Sequence, residues 1–296
     1  MAFVNFLGLT AKGQLEPLKV RAQGIYFHGN VSDIDCSIHL MFLGAMTSNA
    51  MAMSFPHRIL AIDNTGKDLV KTIPGFRPHP QFRRTFEGAF WEMIELKGPS
   101  PQANEIQRLE ADVDFFTPTT SNGGRVVLEN FMSKPGKPLQ HPALDRYKIK
   151  LTYHTMESFE SWRGEHPSQY VKTDVEYVRD HFSGILGKSA AFPRKYVAIQ
   201  IDDPETKLLK LDFERSDKHS IQTSGHKGVE SIRMVADKNE ADFSFFYFNE
   251  VPPPDLHLVV YLSVPEAIET TRFKLEHIAL PERPKPLVSV DGAKKK

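Results

Sequence analysis

Apolar and polar side chains take turns at every second position in five separate stretches of this chain, and a two-residue period admits few folds. Leu18, Val20 and Ala22 interleave with Lys19, Arg21 and Gln23. Leu109, Ala111, Val113 and Phe115 interleave with Glu110, Asp112 and Asp114. The same rhythm recurs over 147–154, 209–214 and 271–276. Successive side chains of a strand point to opposite faces, so each stretch predicts one apolar face on a core and one charged face in water. One-sided burial marks antiparallel sheets, because parallel sheets covered on both faces read as unbroken apolar runs.

Four other runs, 38–43, 196–201, 243–248 and 256–262, are apolar at nearly every position and read as central strands of packed sheets. Turn-forming residues separate the runs: Asp63-Asn64-Thr65-Gly66, Ser121-Asn122-Gly123-Gly124, Asp202-Asp203-Pro204 and Pro252-Pro253-Pro254. Many short strands at this spacing predict a mainly β protein of antiparallel β-sandwich architecture. With 296 residues there is room for two β domains joined by a short helical connection. The expected boundaries are an N-terminal β domain over 1–155, the connection over 156–194, a C-terminal β domain over 195–280 and a flexible tail over 281–296. Within the connection, Thr173 and Glu176 fit a capping box, and Val175, Val178, Phe182 and Ile185 follow at helical spacing before Gly187. Residues 157–170 read as a second helix or a long loop.

Charge balance narrows the partners. The 37 basic side chains match the 37 acidic ones, which removes the electrostatic footprint of a general nucleic-acid binder. No run approaches the roughly 20 apolar residues of a membrane span, so no membrane partner is expected. The amino terminus lacks a basic region leading into a long apolar one, and the default expectation is a cytoplasmic address. The single cysteine, Cys36, forms no disulfide within the chain and, opening the apolar run 36–43, reads as a buried structural thiol.

Catalytic and cofactor patterns are broken wherever they begin. Gly184-Ile185-Leu186-Gly187-Lys188-Ser189 lacks the leading glycine of a phosphate loop, because Phe182 stands there, and it falls at a helix exit. There the helix dipole is negative and repels phosphate. No dinucleotide fingerprint and no nucleophile elbow occur. The twelve histidines include no His-Glu-x-x-His pair. Asp237, Asn239, Glu240 and Asp242 start like a calcium loop but lack its glycine and its closing glutamate. The expectation is no catalytic residue, no cofactor and no metal.

One segment stands apart. Residues 76–96 combine Phe76, Phe82, Phe86, Phe90 and Trp91 with Arg77, Arg83 and Arg84, then Glu87, Glu92 and Glu95. Phe82, Phe86, Phe90 and Met93 suit a helix, whereas Trp91, Met93 and Glu95 suit one face of a strand. Aromatic and arginine side chains are favoured at interface centres, so Arg77, Arg83, Arg84 and Trp91 are the candidate ligand- or partner-binding residues. The competing account has the aromatics covering the core and the arginines solvated or paired with the glutamates. The expected function is that of a non-enzymatic binding, adaptor or structural assembly protein, taking a protein partner or another copy of itself. The rival is a hydrolase of carbohydrate or another polymer using loop carboxylates, of which Glu92 and Glu95 are one pair.

Overall fold

Strands do form where the alternation places them. The computed structural model describes residues 18–30, 33–71, 88–165, 196–217, 220–221, 229–234, 242–248 and 251–282. In chain order the first elements are β1 (Lys19–Asn30), β2 (Asp33–Leu43), α1 (Ala45–Asn49), β3 (Ala52–Met53), β4 (His57–Asp63), β5 (Phe90–Lys97) and β6 (Glu105–Phe116). Then come β7 (Arg125–Leu128), α2 (Pro142–Arg146), β8 (Lys150–His154), α3 (Met156–Glu165), β9 (Tyr196–Asp202) and β10 (Leu208–Arg215). The last are β11 (Ser220–Ile221), β12 (Val229–Met234), β13 (Asp242–Phe248), β14 (Leu256–Leu262) and β15 (Ile268–Ala279).

The chain divides into two compact units, 1–117 together with 268–296, and 118–267. In the first unit one sheet runs β1-β2-β5 and the other β15-β6-β3, with β4 also paired to β6, and every pairing is antiparallel. The two sheets share one core. Ile38, Leu40 and Phe42 of β2 and Phe90, Ile94 and Leu96 of β5 meet Leu109, Ala111, Val113 and Phe115 of β6 and Phe273 of β15. Phe42 and Phe273 meet edge to face at 5.4 Å. Burying an aromatic of this size contributes roughly 1.5–3 kcal/mol, which sets the scale of each contact across the sandwich.

Along β5 burial alternates at every residue. On β6 the outward members behave differently. Glu110 and Asp112 are only 7% and 6% exposed, which corrects the expectation that the charged face of this strand lies in water. The reason is that β6 is flanked on both sides. Arg272 of β15 donates to Glu110 at 3.0 Å and to Asp112 at 3.0 Å, Arg108 donates to Glu110 at 2.7 Å, and Arg58 of β4 reaches Asp112 at 3.3 Å. Long arginine stems cover the carboxylates while their heads neutralise them.

The second unit repeats the design with sheets β11-β10-β14-β7 and β12-β13-β9-β8. Phe213 of β10 sits at its centre, 4.8 Å from Phe246 and 5.0 Å from Phe248 of β13 on the facing sheet. The four continuous apolar runs, now β2, β9, β13 and β14, each lie between two other strands. The strand expected from Tyr147 begins later, at Lys150, because Tyr147 caps α2 and Lys148 takes a left-handed backbone with φ 56°. Residues 156–165 are helical, resolving part of the 157–170 alternative. The capped helix expected from Thr173, the phosphate-loop remnant, and Asp237, Asn239 and Glu240 lie outside the described residues.

Candidate functional site

Of the four large apolar side chains left most exposed among the described residues, three sit on one face. Tyr26 is 52%, Trp91 37% and Met93 41% exposed, and all point away from the core of the β1-β2-β5 sheet. Register explains the gathering. Trp91 pairs across with Met41, which pairs with Arg21, while Met93 pairs with His39, which pairs with Gly24. The next row joins Glu95, Ser37 and Tyr26. Directly opposite residues share a face about 5 Å apart. The Tyr26 ring accordingly packs on His39 with centroids 4.8 Å apart, and Gln23 Nε2 reaches the Met41 sulfur at 3.9 Å.

The ends of the face differ in charge. At the far end Lys71 lies between Asp35, at 2.6 Å, and Glu95, at 3.5 Å, an ion-pair cluster that needs no partner. Arg21, in one row with Met41 and Trp91, forms no ion pair among the described residues. The expectation that 38–43 is buried on both faces is corrected here: His39 and Met41 are half-buried on the outward side, because this side of β2 carries only the partial cover of its strand neighbours.

Of the candidates read from sequence, Trp91 lies in this face, and Arg77, Arg83 and Arg84 lie outside the described residues. Met93 shares a strand face with Trp91 as the alternation 91, 93, 95 suggests, whereas Tyr26, His39 and Met41 were missed. The one local signal for them was the soft or polar residue at alternate positions, Ser37-Ile38-His39-Leu40-Met41, which only register turns into a patch. Glu92 and Glu95 do not form a pair: Glu92 is buried on the core side of β5, and Glu95 points outward to Lys71.

Other sites supply little chemistry. The Cys36 thiol is buried, and burial, helped by the Asp35 charge, pushes its pKa up to about 11, away from the thiolate form that reacts. In the second unit a cavity of about 390 Å³ lies among Val127, Phe131, Leu139, Glu129, Lys134 and His141. Glu129 is its single carboxylate, so this cavity lacks the two carboxyl groups that acid–base hydrolysis of a glycoside requires. Among the described residues no three of histidine, cysteine, aspartate and glutamate gather as a metal set, and no helix is long and apolar enough to cross a membrane.

Comparisons of the chain with family models, with curated proteins and with solved structures return no match. What fold and surface define is a class: an all-β chain of two compact units, one of which turns an aromatic and methionine-lined sheet face outward.

Proposed function

We propose that this chain is a non-enzymatic assembly module that self-associates through the outward face of the β1-β2-β5 sheet. The observation that carries the reading is the convergence of Tyr26, Trp91 and Met93, with Met41 and His39 between them, on a single face. Contiguous apolar surface of this kind marks interaction sites, whereas single exposed apolar residues do not. The occupant is a second copy because the face complements itself. A two-fold axis running along β2 exchanges β1 with β5 while keeping each residue row. It lays Arg21 of one copy over the Trp91 indole of the other and sets Met41 against Met41. Arginine over tryptophan is a favoured cation–π pairing, and Arg21 forms no ion pair among the described residues that would compete with it.

Sedimentation of the full chain over a wide concentration range tests this. The wild type is expected to form dimers. Trp91→Glu, which enters a two-fold interface twice, is expected to weaken the dimer about 100-fold or more. Val251→Glu, at an exposed apolar position in the other unit, should leave it unchanged. A chain that stays monomeric at the highest concentration sinks the proposal, and so does a dimer indifferent to Trp91→Glu.

A further inference from the structure

A second aromatic face in the molecule is covered, and its cover rests on a histidine. On the outer side of the β12-β13-β9-β8 sheet, Phe243 and Phe245 stack at 5.6 Å, and α3 lays Phe159 and Trp162 over them. Phe159 meets Phe243 at 5.2 Å and Phe245 at 5.4 Å, and Trp162 meets Phe243 at 5.0 Å. Most helical stability in a protein comes from packing one face of the helix, and for α3 this docking supplies that packing.

His154, the last residue of β8, is enclosed beneath the helix at 2% exposure. Its ring lies 6.4 Å from the Trp162 ring and 6.0 Å from the Phe243 ring. Nε2 stands 3.2 Å from the amide oxygen of Gln200, which assigns the proton to Nε2. Nδ1 is buried and completes no well-formed hydrogen bond, the Ser158 backbone being close enough to favour the charged ring only in part. Among the described side chains, those that face the ring are uncharged, the side chains of Glu160 and Arg163 on α3 lying outside the described ones. Phe159, Trp162, Thr155 and Ser158 come from the α3 side, Gln200 and Ala198 from β9, Phe243 and Phe245 from β13, and Thr152 from its own strand. The nearest charges on the same sheet face, Lys150 and Asp202, lie two residue rows away and pair with each other at 3.5 Å. On α3, Glu157 and Glu165 are exposed.

We propose that His154 makes the docking of α3 acid-labile: a proton taken from solution onto Nδ1 releases the helix and bares the Phe243–Phe245 face. A full charge in an enclosure of aromatic rings, with no carboxylate among the described side chains to meet it, costs far more than the same charge in water. Burial holds the docked histidine below the ordinary value of 6.5, and the contacts with Gln200 and the Ser158 backbone offset only part of that. The released imidazole returns to the ordinary value. Docking is therefore at full strength above pH 6.5 and weakens as pH falls, by up to about tenfold per pH unit, until the docked value is reached. The two units carry separate cores, and opening of one helix is a local event that leaves the strands paired.

The test uses the full chain carrying Trp91→Phe, which leaves Trp162 as its sole tryptophan. Between pH 7.5 and 5 its emission is expected to shift to the red with a midpoint below 6.5, while the β circular-dichroism signal stays constant. Adding His154→Gln, which keeps polarity and loses titration, should abolish the shift over that range. An unchanged shift in that variant overturns the proposal, as does no shift in the parent. A variant that fails to fold leaves a direct reading in the parent, whose His154 ring protons, followed by NMR, must titrate below 6.5. Titration at or above that value also overturns the proposal.

Discussion

Asp63, at the end of β4, is the residue whose replacement reports most directly on how the first unit is held together. Its side chain is fully buried in a turn and collects four donors. Oδ1 accepts from the Thr65 amide at 2.9 Å, the Thr65 hydroxyl at 2.7 Å and the Lys67 amide at 3.0 Å, and Oδ2 accepts from the Ser100 amide at 2.7 Å. One carboxylate thus closes its own turn and ties it to the loop before β6. Burial alone raises the carboxyl pKa, but the hydrogen bonds from Ser100, Thr65 and Lys67 outweigh it and lower the value from 3.8 to about 2. At 1.36 kcal/mol per unit a drop of this size is worth about 2.4 kcal/mol. The turn lies at the surface among exposed neighbours, and solvent screening trims that to about 1–2 kcal/mol. Asp63→Asn removes the charge and sets an amide donor against the Ser100 amide.

The sign follows from the lowered value. The carboxylate stabilises the fold fully above about pH 4, and the contribution disappears as pH falls through 3.8 toward 2. Urea unfolding of the first unit, read from Trp91 in a Trp162→Phe chain, should show Asp63→Asn destabilised by about 1–2 kcal/mol at pH 7 and at pH 5. The gap should narrow at pH 3.5 and again at pH 3. A gap that stays constant across this range refutes the reasoning, and so does a variant within about 0.3 kcal/mol of wild type at pH 7.

Two backbone substitutions test the second unit. A Cβ added at Gly124 would lie 2.8 Å from Pro118 Cα and 3.0 Å from Ala267 Cβ, so Gly124→Ala should cost about 1–3 kcal/mol in thermal or urea unfolding of that unit. Thr206 is a β-branched residue with φ 52°, and Thr206→Gly should gain about 0.5–1 kcal/mol by removing that strain. Calorimetry of each variant beside the parent decides both, and a change of the opposite sign would show that the local backbone relaxes.

Much of the architecture was readable along the chain, for a local reason. The face a strand residue points to depends on its parity alone, and β1, β6, β10 and β15 appeared where parity placed them. The four mostly apolar runs became interior strands of their sheets, although β2 is covered on one face only, with His39 and Met41 half-buried on the other. The candidate site was less legible. Trp91 stood out for its composition, but Tyr26 and His39 join it through pairing with strands distant in sequence.

The sequence by itself determined that this chain is built of half-buried and fully buried strands, that one cysteine is interior, and that turns fall at Asp63 and Asp203. The tertiary structure alone decided which strands pair. Thr270 of β15 bonds Asp114 of β6 across 156 positions, returning the end of the chain to the first unit. It also decided that Glu110 lies covered by arginines and that three exposed aromatic and methionine side chains share a face. A period of two is the same whatever strand lies alongside, so the choice of partner rests on register, total burial and the slowly rising cost of closing long loops, and none of these is written in a local stretch of residues.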